Sequence, residues 1–397
     1  MTALPELQAP RRSPDAVEFT TSFGRAFVVT SSEDIDPQLR QEAFAGHCKD
    51  FRYYEIAEAC LEGQFEHRYF VLENETTGET AIQPFFFVDQ DVTAGLPASL
   101  RGALVAPLRK LWPRFLNLRM LMVGCSAAEG HLDKTHPWAV QALHETLDLY
   151  MRHAGAAIVL LKDFPANYRE ALQRFSQDGY RRVPSMPGAR LDLDFASFEE
   201  YMQTRLSKVY RKNLRRKFKA LKSAPPVEME VLNDAAHLLD EIYALHLQTY
   251  HRSEFKFEEL TRDYFRLIGQ RMPDRVRFFV WRQNGRLVAF NLCLFHEGTL
   301  YDLDVGLDYD VALDLHLYFV TWRDVIEWGL ENGVKTYHTG PLNYDPKLHL
   351  RLDLAPQDLY ARHSSPLINP LFKLAVEYLQ PARHDKTLRR FRNAHEL

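Results

Sequence analysis

Three consecutive strand patterns followed by one long helix constrain this chain more than anything else in it. Residues 276–281, 286–295 and 299–306 are rich in β-branched and aromatic side chains, and the links between them, QNGR and HEG, have hairpin length. Residues 315–332 then place Tyr318, Phe319, Trp322, Val325, Ile326 and Leu330 on one side of a helix. Gly333 stands where a left-handed C-cap belongs, and residues 334–338 read as a further strand. Such an order predicts a mixed, mostly antiparallel sheet flanked by helices.

The same order of elements runs through the first half. Helical patterns at 37–45 and 53–63 precede a hairpin of HRYFVLE and AIQPFFFV, joined through NETTGE with Gly78 at its turn. Pro84 has no N–H for a ladder and predicts an edge or a bulge. Residues 118–124 form a third strand, 138–153 a helix ended by Gly155, 156–161 a buried strand, 164–179 a helix, and 189–193 the closing strand. In the second half a strand at 227–232 and helices at 235–250 and 257–268 lead into the hairpins, and a strand at 358–363 and a helix at 371–379 end it. A chain of 397 residues suits two such domains. The expected division is a poorly ordered leader at 1–24, an N-terminal domain at 25–190 and a C-terminal domain at 191–397, the alternative being one large mixed sheet.

Composition removes several classes. Apolar residues make up 46% and charged residues 26%, as in an ordinary globular protein. Four scattered cysteines (Cys48, Cys60, Cys125, Cys293) give neither a disulfide framework nor a metal motif, and reduced thiols are expected. No apolar run is long enough for a bilayer span or a secretory signal, so a cytoplasmic location is expected, with peripheral membrane contact open. No metal site is expected, since His131 and His136 have no third ligand nearby.

Charge is concentrated at RLSKVYRKNLRRKFKALK, residues 205–222, which hold nine basic residues and no acid while the whole chain carries −4. Leu206, Tyr210, Leu214, Phe218 and Leu221 form one apolar stripe, so the segment predicts an amphipathic helix with one face docked and one cationic. Like charges at i,i+4 repel, which calls for a compensating partner. The plain reading is a solvated face neutralised by the acidic remainder. The functional readings are an anionic substrate or cofactor, a tRNA backbone, or an anionic membrane surface.

With these residues in view, the chain resembles the GNAT superfamily of acyltransferases, and within it the BioF2-like or CelD-like group related to the FemAB aminoacyl transferases. The resemblance rests on the strand order with NGRLVAF on a hairpin, on Ser207, Arg211, Asn213, Leu214, Arg215, Arg216 and Lys217 ahead of the second domain, and on a late Tyr344-x-x-Lys347 motif. It covers residues 190–380 in detail and the first half by element order. It implies two tandem acyltransferase-like domains. It also implies an acyl donor held in a wedge between two parting strands, with the donor's pyrophosphate on helix N-terminal amides. The glycine-rich loop usual before that helix is replaced by GLDYDVALDLHL, with Asp308, Asp310 and Asp314 at the helix start. Carboxylates repel a pyrophosphate, which leans towards a different donor or towards counter-charge from the basic helix.

The activity expected is transfer of an acyl group, other than an aminoacyl group, from acyl-CoA to an amine on a small molecule, a lipid or a cell-envelope component. An aminoacyl-tRNA donor is the second reading, and a non-catalytic scaffold on an anionic surface the third. For chemistry, alternation along 299–306 puts Tyr301, Leu303 and Val305 on one face and Asp302 and Asp304 on the other. Asp304 is the expected base or amine binder, His338 faces the same wedge, and Tyr344 protonates the leaving group. Substrate contacts are expected from Arg211, Arg215, Arg216, Tyr301, Asp302 and Lys347, the last holding a carboxylate or phosphate.

Overall fold

The computed structural model describes residues 17–91, 117–221, 224–253, 256–380, 383 and 385–397. The expected leader up to residue 16, the link at 92–116 and Lys222 therefore lie outside the described residues. In chain order the strands are β1 (Val17–Thr21), β2 (Gly24–Val29), β3 (Glu66–Glu73), β4 (Thr80–Asp91), β5 (Asn117–Val123), β6 (Ile158–Pro165), β7 (Arg181–Pro184), β8 (Gly188–Asp192), β9 (Val227–Leu232), β10 (Val276–Gln283), β11 (Arg286–His296), β12 (Thr299–Leu307), β13 (Thr336–Thr339), β14 (Asp353–Ala355) and β15 (Gln357–His363). The α-helices are α1 (Pro37–Glu42), α2 (Phe51–Leu61), α3 (Pro137–Ala154), α4 (Gln173–Gln177), α5 (Phe198–Arg205), α6 (Lys208–Leu221), α7 (Leu239–Arg252), α8 (Arg262–Arg271), α9 (Leu317–Glu331), α10 (Tyr344–His349) and α11 (Asn369–Leu379).

The chain divides into two compact units, and neither is contiguous. One holds residues up to Ala45, Glu62–Ser185 and Asp358–Gln380, and the other Gly46–Leu61, Met186–Gln357 and the C-terminal residues from Pro381. Four expectations change. The leader at 1–24 contains β1, which pairs antiparallel with β2. The strand at 189–193, expected to close the first half, is β8 of the second unit. The strand at 358–363 is β15 and belongs to the first unit's sheet, so a single cut at 190 does not describe the units. The helix expected at 164–179 is shortened to α4, because β6 runs on through Pro165.

Among the described residues, the first unit's sheet has eight strands in the order β1-β2-β3-β4-β5-β6-β15-β7. It is antiparallel through β5, and β5 pairs parallel with β6. Pro84 lies inside β4, a central strand, rather than at an edge. It is tolerated because its carbonyl accepts the Gly124 N–H just past the end of β5's ladder, so its missing N–H falls where pairing has stopped. The core stacks Phe70 on Phe85 at 4.1 Å and sets Tyr150 of α3 edge-on to both. Gly155 caps α3 at φ 64°.

The second unit's sheet has seven strands in the order β14-β8-β13-β12-β11-β10-β9. Helix α2 belongs to this unit: Arg52 bonds Asp274 at 2.8 Å and Tyr53 shares a hydroxyl bond with Tyr264 at 2.9 Å. Phe279, Trp281, Ala289 and Cys293 pack beneath α9 around Val320, Trp322 and Ile326. On the other face α7 comes close at Gly306, where a Cβ would collide with the Phe290 ring and lie 2.9 Å from the Leu245 backbone. Among the described residues no helix is long and apolar enough to cross a membrane.

Candidate functional site

The site in the second unit begins where two strands separate. β12 and β13 run parallel and pair through Thr299↔Thr336 to Asp302↔Thr339, and then part. β12 continues to Leu307 alone on that side, while the chain leaves β13 through residues 340–343 into α10, with Leu342 at φ 69° and Asn343 at φ 51°. Pairing of β12 with β11 slips at the same place: Cys293 faces Asp302 and Leu292 faces Asp304, so Leu303 is bulged.

This bulge overturns the expected pairing of the two acids. Asp302 lies on the α9 face, where Tyr337 donates a hydroxyl bond to it and Asn291 donates from Nδ2 at 3.4 Å. Asp304 lies on the α7 face, where Nδ1 of His246 donates to Oδ2 at 2.8 Å. Tyr301 and His338 lie on the α7 face too, their rings 5.5 Å apart. Two carboxylates thus flank the fork from opposite sides.

Their surroundings differ. Burial lifts the Asp302 carboxyl to about 6, against the pull of the Tyr337 bond and the Lys347 charge. Burial lowers the Lys347 ammonium to about 8, with Asp302 opposing. Lys347 does not present its charge to an open anion site. It donates to the carbonyls of Gly340 at 2.6 Å, Pro341 at 3.4 Å and Leu342 at 2.8 Å, and so holds the segment that leaves β13. The Tyr344 hydroxyl is committed to the Pro187 carbonyl at 2.8 Å in a buried setting, and a leaving-group acid there would first have to break that bond. Asp304 keeps 18% of its side chain exposed, while His246 is buried and its Nε2 lacks a hydrogen-bond partner among the described residues. Sequence reading missed His246. Its one signal is position, on the helical pattern that precedes the hairpins, and nothing local ties it to β12.

The basic segment is two helices rather than one. Arg205 ends α5 and pairs with Asp194 at 2.6 Å, and Ser207 caps α6 by accepting the Tyr210 N–H at 3.2 Å. The docked stripe is present: Leu206 and Leu214 are buried, and Tyr210, Phe218 and Leu221 pack against the same core. Two of the three expected arginines are engaged with α5. Arg211 donates to the last carbonyls of α5, Gln203 at 2.9 Å and Met202 at 3.4 Å, and Arg215 pairs with Glu199. Arg216 bonds the side chain of Asn213 at 3.1 Å and stays exposed with Lys208, Lys212 and Lys219, none of which has an ion pair among the described residues. Lys217 lies 4.8 Å over Phe319 in the first turn of α9, and Arg216 and Lys217 help burial lower the His316 pKa at that helix's N-cap. The cationic helix therefore overlooks the N-terminus of α9. Of the acids there, Asp308 is buried and paired with Arg286, while Asp310 and Asp314 are exposed.

In the first unit, the comparable parallel pair, β5 and β6, is closed where it would part. Gly124 sits at φ +120°, and a Cβ on Gly130 would meet the Lys162 carbonyl at 2.5 Å and the Phe164 ring at 2.6 Å. Backbone and a buried ring fill that gap.

Residues 208–348 match the family model of an acetyltransferase (GNAT) domain. The match covers the fork, α6 and α10. The comparison with curated proteins gave no match. Among solved structures, L-PGS from Bacillus licheniformis is 15% identical with a TM-score of 0.51, over 82% of this chain and 95% of that one. FemX is 12% identical with a TM-score of 0.51, over 81% and 93%. A C-terminal domain from Agrobacterium fabrum named for lysylphosphatidylglycerol synthetase is 12% identical with a TM-score of 0.49, over 85% and 96%. At these identities the likeness is one of fold: two GNAT-like units, each with a mixed, mostly antiparallel sheet flanked by helices. One expectation is corrected by it. The restriction to groups other than aminoacyl groups is withdrawn, because the fold is shared with L-PGS and with FemX.

Proposed function

We propose that the second unit transfers an activated acyl group, aminoacyl groups included, from a phosphate-bearing donor to an amine. The observation that carries this is the fork: four paired positions, then separation, with a carboxylate on each face at the point of parting. In this reading the donor carbonyl enters the gap beyond Asp302 and Thr339. As the amine nitrogen bonds the donor carbonyl carbon, Asp304 takes the amine proton; the donor's ester or thioester bond breaks and that proton leaves with the departing alcohol or thiol, while His246 orients the Asp304 carboxylate. Lys347 keeps residues 340–342 away from β12 by holding their carbonyls.

Aminoacyl-tRNA is the donor we favour. The exposed cations Lys208, Lys212, Arg216 and Lys219 run along α6 for about 16 Å at 1.5 Å per residue, longer than one pyrophosphate needs and suited to successive backbone phosphates. The exposed Asp310 and Asp314 at the start of α9 weaken the usual coenzyme phosphate site. Acyl-CoA remains the second reading, favoured by the acetyltransferase family match, and the chain's BioF2-like or CelD-like character rests on the basic segment with Tyr344-x-x-Lys347. The acceptor we infer is an amine of a lipid or cell-envelope precursor, met in the cytoplasm where either donor is found. Titration calorimetry with charged tRNA, uncharged tRNA, acetyl-CoA and long-chain acyl-CoA tests the assignment. Tighter binding of charged than of uncharged tRNA is expected. Binding of none of the four, with salt-sensitive adhesion to anionic vesicles, returns the chain to a scaffold role.

A further inference from the structure

Asp302 is a carboxylate at the fork with no cation in contact. Among the described residues its hydrogen bonds come from neutral groups, the Tyr337 hydroxyl and Asn291 Nδ2, and both go to Oδ2, which leaves Oδ1 open. Lys347 acts on it through its field alone, because the three donors of that ammonium go to the carbonyls of Gly340, Pro341 and Leu342. A carboxylate drawn into a protein ordinarily has its counter-ion beside it. Here the counter-ion position is empty of protein.

Two further acceptors stand near that position. Asn291 is 5% exposed, and its Oδ1 has no hydrogen-bond partner among the described residues. The Tyr318 hydroxyl has none either, and burial, followed by the fields of Tyr210 and Asp302, pushes it well above its ordinary value. Asp302 and Tyr318 each keep part of their surface accessible, so neither is sealed in the core. One charged and two neutral acceptors match the three N–H donors of an ammonium group. The fork says which ammonium this is. Asp302 and Thr339 are the last paired positions, and the donor carbonyl enters just beyond them. An α-amino group lies one carbon from that carbonyl and so falls where the pairing ends. The acceptor amine meets Asp304 on the opposite face.

We propose that Asp302 Oδ1, Asn291 Oδ1 and the Tyr318 hydroxyl bind the α-ammonium of an aminoacyl donor, so that the fork selects amino acid esters over plain acyl groups. The inference rests on the acyl-transfer reading and assigns each carboxylate of the fork to one substrate. Three probes test it by calorimetry: tRNA charged with the natural amino acids, the same pool deaminated to α-hydroxyacyl-tRNA, and uncharged tRNA. The wild type is expected to bind the aminoacyl pool roughly tenfold or more tighter than the α-hydroxyacyl pool, as a charge-assisted hydrogen bond gives. Asp302→Asn is expected to abolish that difference and to bind uncharged tRNA as before. Tyr318→Phe, which keeps the ring and removes a hydroxyl without a protein partner, is expected to shrink the difference with the thermal midpoint unchanged. Equal binding of the aminoacyl and α-hydroxyacyl pools, both tighter than uncharged tRNA, overturns the subsite and leaves acyl transfer standing. Equal binding of all three removes the aminoacyl-tRNA donor and the subsite with it. A difference that survives Asp302→Asn also overturns the proposal, as does one untouched by Tyr318→Phe where the Asp302 variant does not fold.

Discussion

Asp302 and Lys347 titrate on either side of neutrality for the same physical reason, burial of a charge at the fork. Asp302 is lifted to about 6, and its ionised form is the one that accepts the Tyr337 and Asn291 bonds. Lys347 is lowered to about 8, and losing its proton weakens three bonds to carbonyls. Turnover is therefore expected to rise through about pH 6 and to fall above about pH 8. Asp302→Asn should erase the acid limb, and an unchanged acid limb in that variant would assign it to another group. Stability has its own sign. A carboxyl raised on folding stabilises fully below its unfolded value of about 4, and that contribution is lost as pH rises through about 6. On the other face, Asp304→Asn should lower kcat by about 10²-fold or more, the scale of a general base, with little change in the thermal midpoint. Tyr344→Phe should do the reverse: it strands the buried Pro187 carbonyl, costs about 1–3 kcal/mol and leaves kcat in place. A large kcat loss in Tyr344→Phe without destabilisation would restore the tyrosine as an acid.

At the scale of elements, α6 separates into cations that build the unit and cations that face outward. Arg211 caps α5 and Arg215 pairs with Glu199, so Arg211→Ala is expected to destabilise the unit more than it weakens donor binding. Lys212→Ala, Arg216→Ala and Lys219→Ala together should leave the fold intact and reduce the salt slope of donor binding by roughly two to three. An unchanged slope in calorimetric titrations at several salt concentrations would make α6 an ordinary solvated face. Gly306 is the element-scale partner of His246, because its missing Cβ lets α7 approach β12. Gly306→Ala is expected to push the helix back, lengthen the His246–Asp304 bond and cost about 1–3 kcal/mol.

For the whole molecule, the interleaved composition of the units has a mechanical consequence. β15 lies between β6 and β7, although it follows β14 in the chain. A fragment ending at residue 190 therefore lacks an interior strand of the first sheet, not an edge strand. It is expected to show no cooperative thermal transition by circular dichroism, and restoring residues 357–380 as a separate peptide should rescue it. A fragment that melts cooperatively on its own would show that the first unit tolerates the gap. The two units also differ where acyl transfer would take place, since Gly130 and Phe164 close the parting of β5 and β6.

Local chemistry made much of this chain legible. Alternating apolar residues with hairpin-length links located β10, β11 and β12, helical spacing ended by Gly333 located α9, and the stripe from Leu206 to Leu221 placed the docked face of α6. Each depends on neighbours a few residues apart, and so it is written in order along the chain. Three features depended on distant residues. A bulge at Leu303 adds one residue to a period of two and sends Asp302 and Asp304 to opposite faces, which counting along the strand does not register. His246 meets Asp304 across 58 positions because Gly306 admits a helix. And β8 and β15 join sheets formed mainly by the opposite half, because a strand takes the partner that leaves its backbone groups paired and its side chains buried, whatever its place in the sequence.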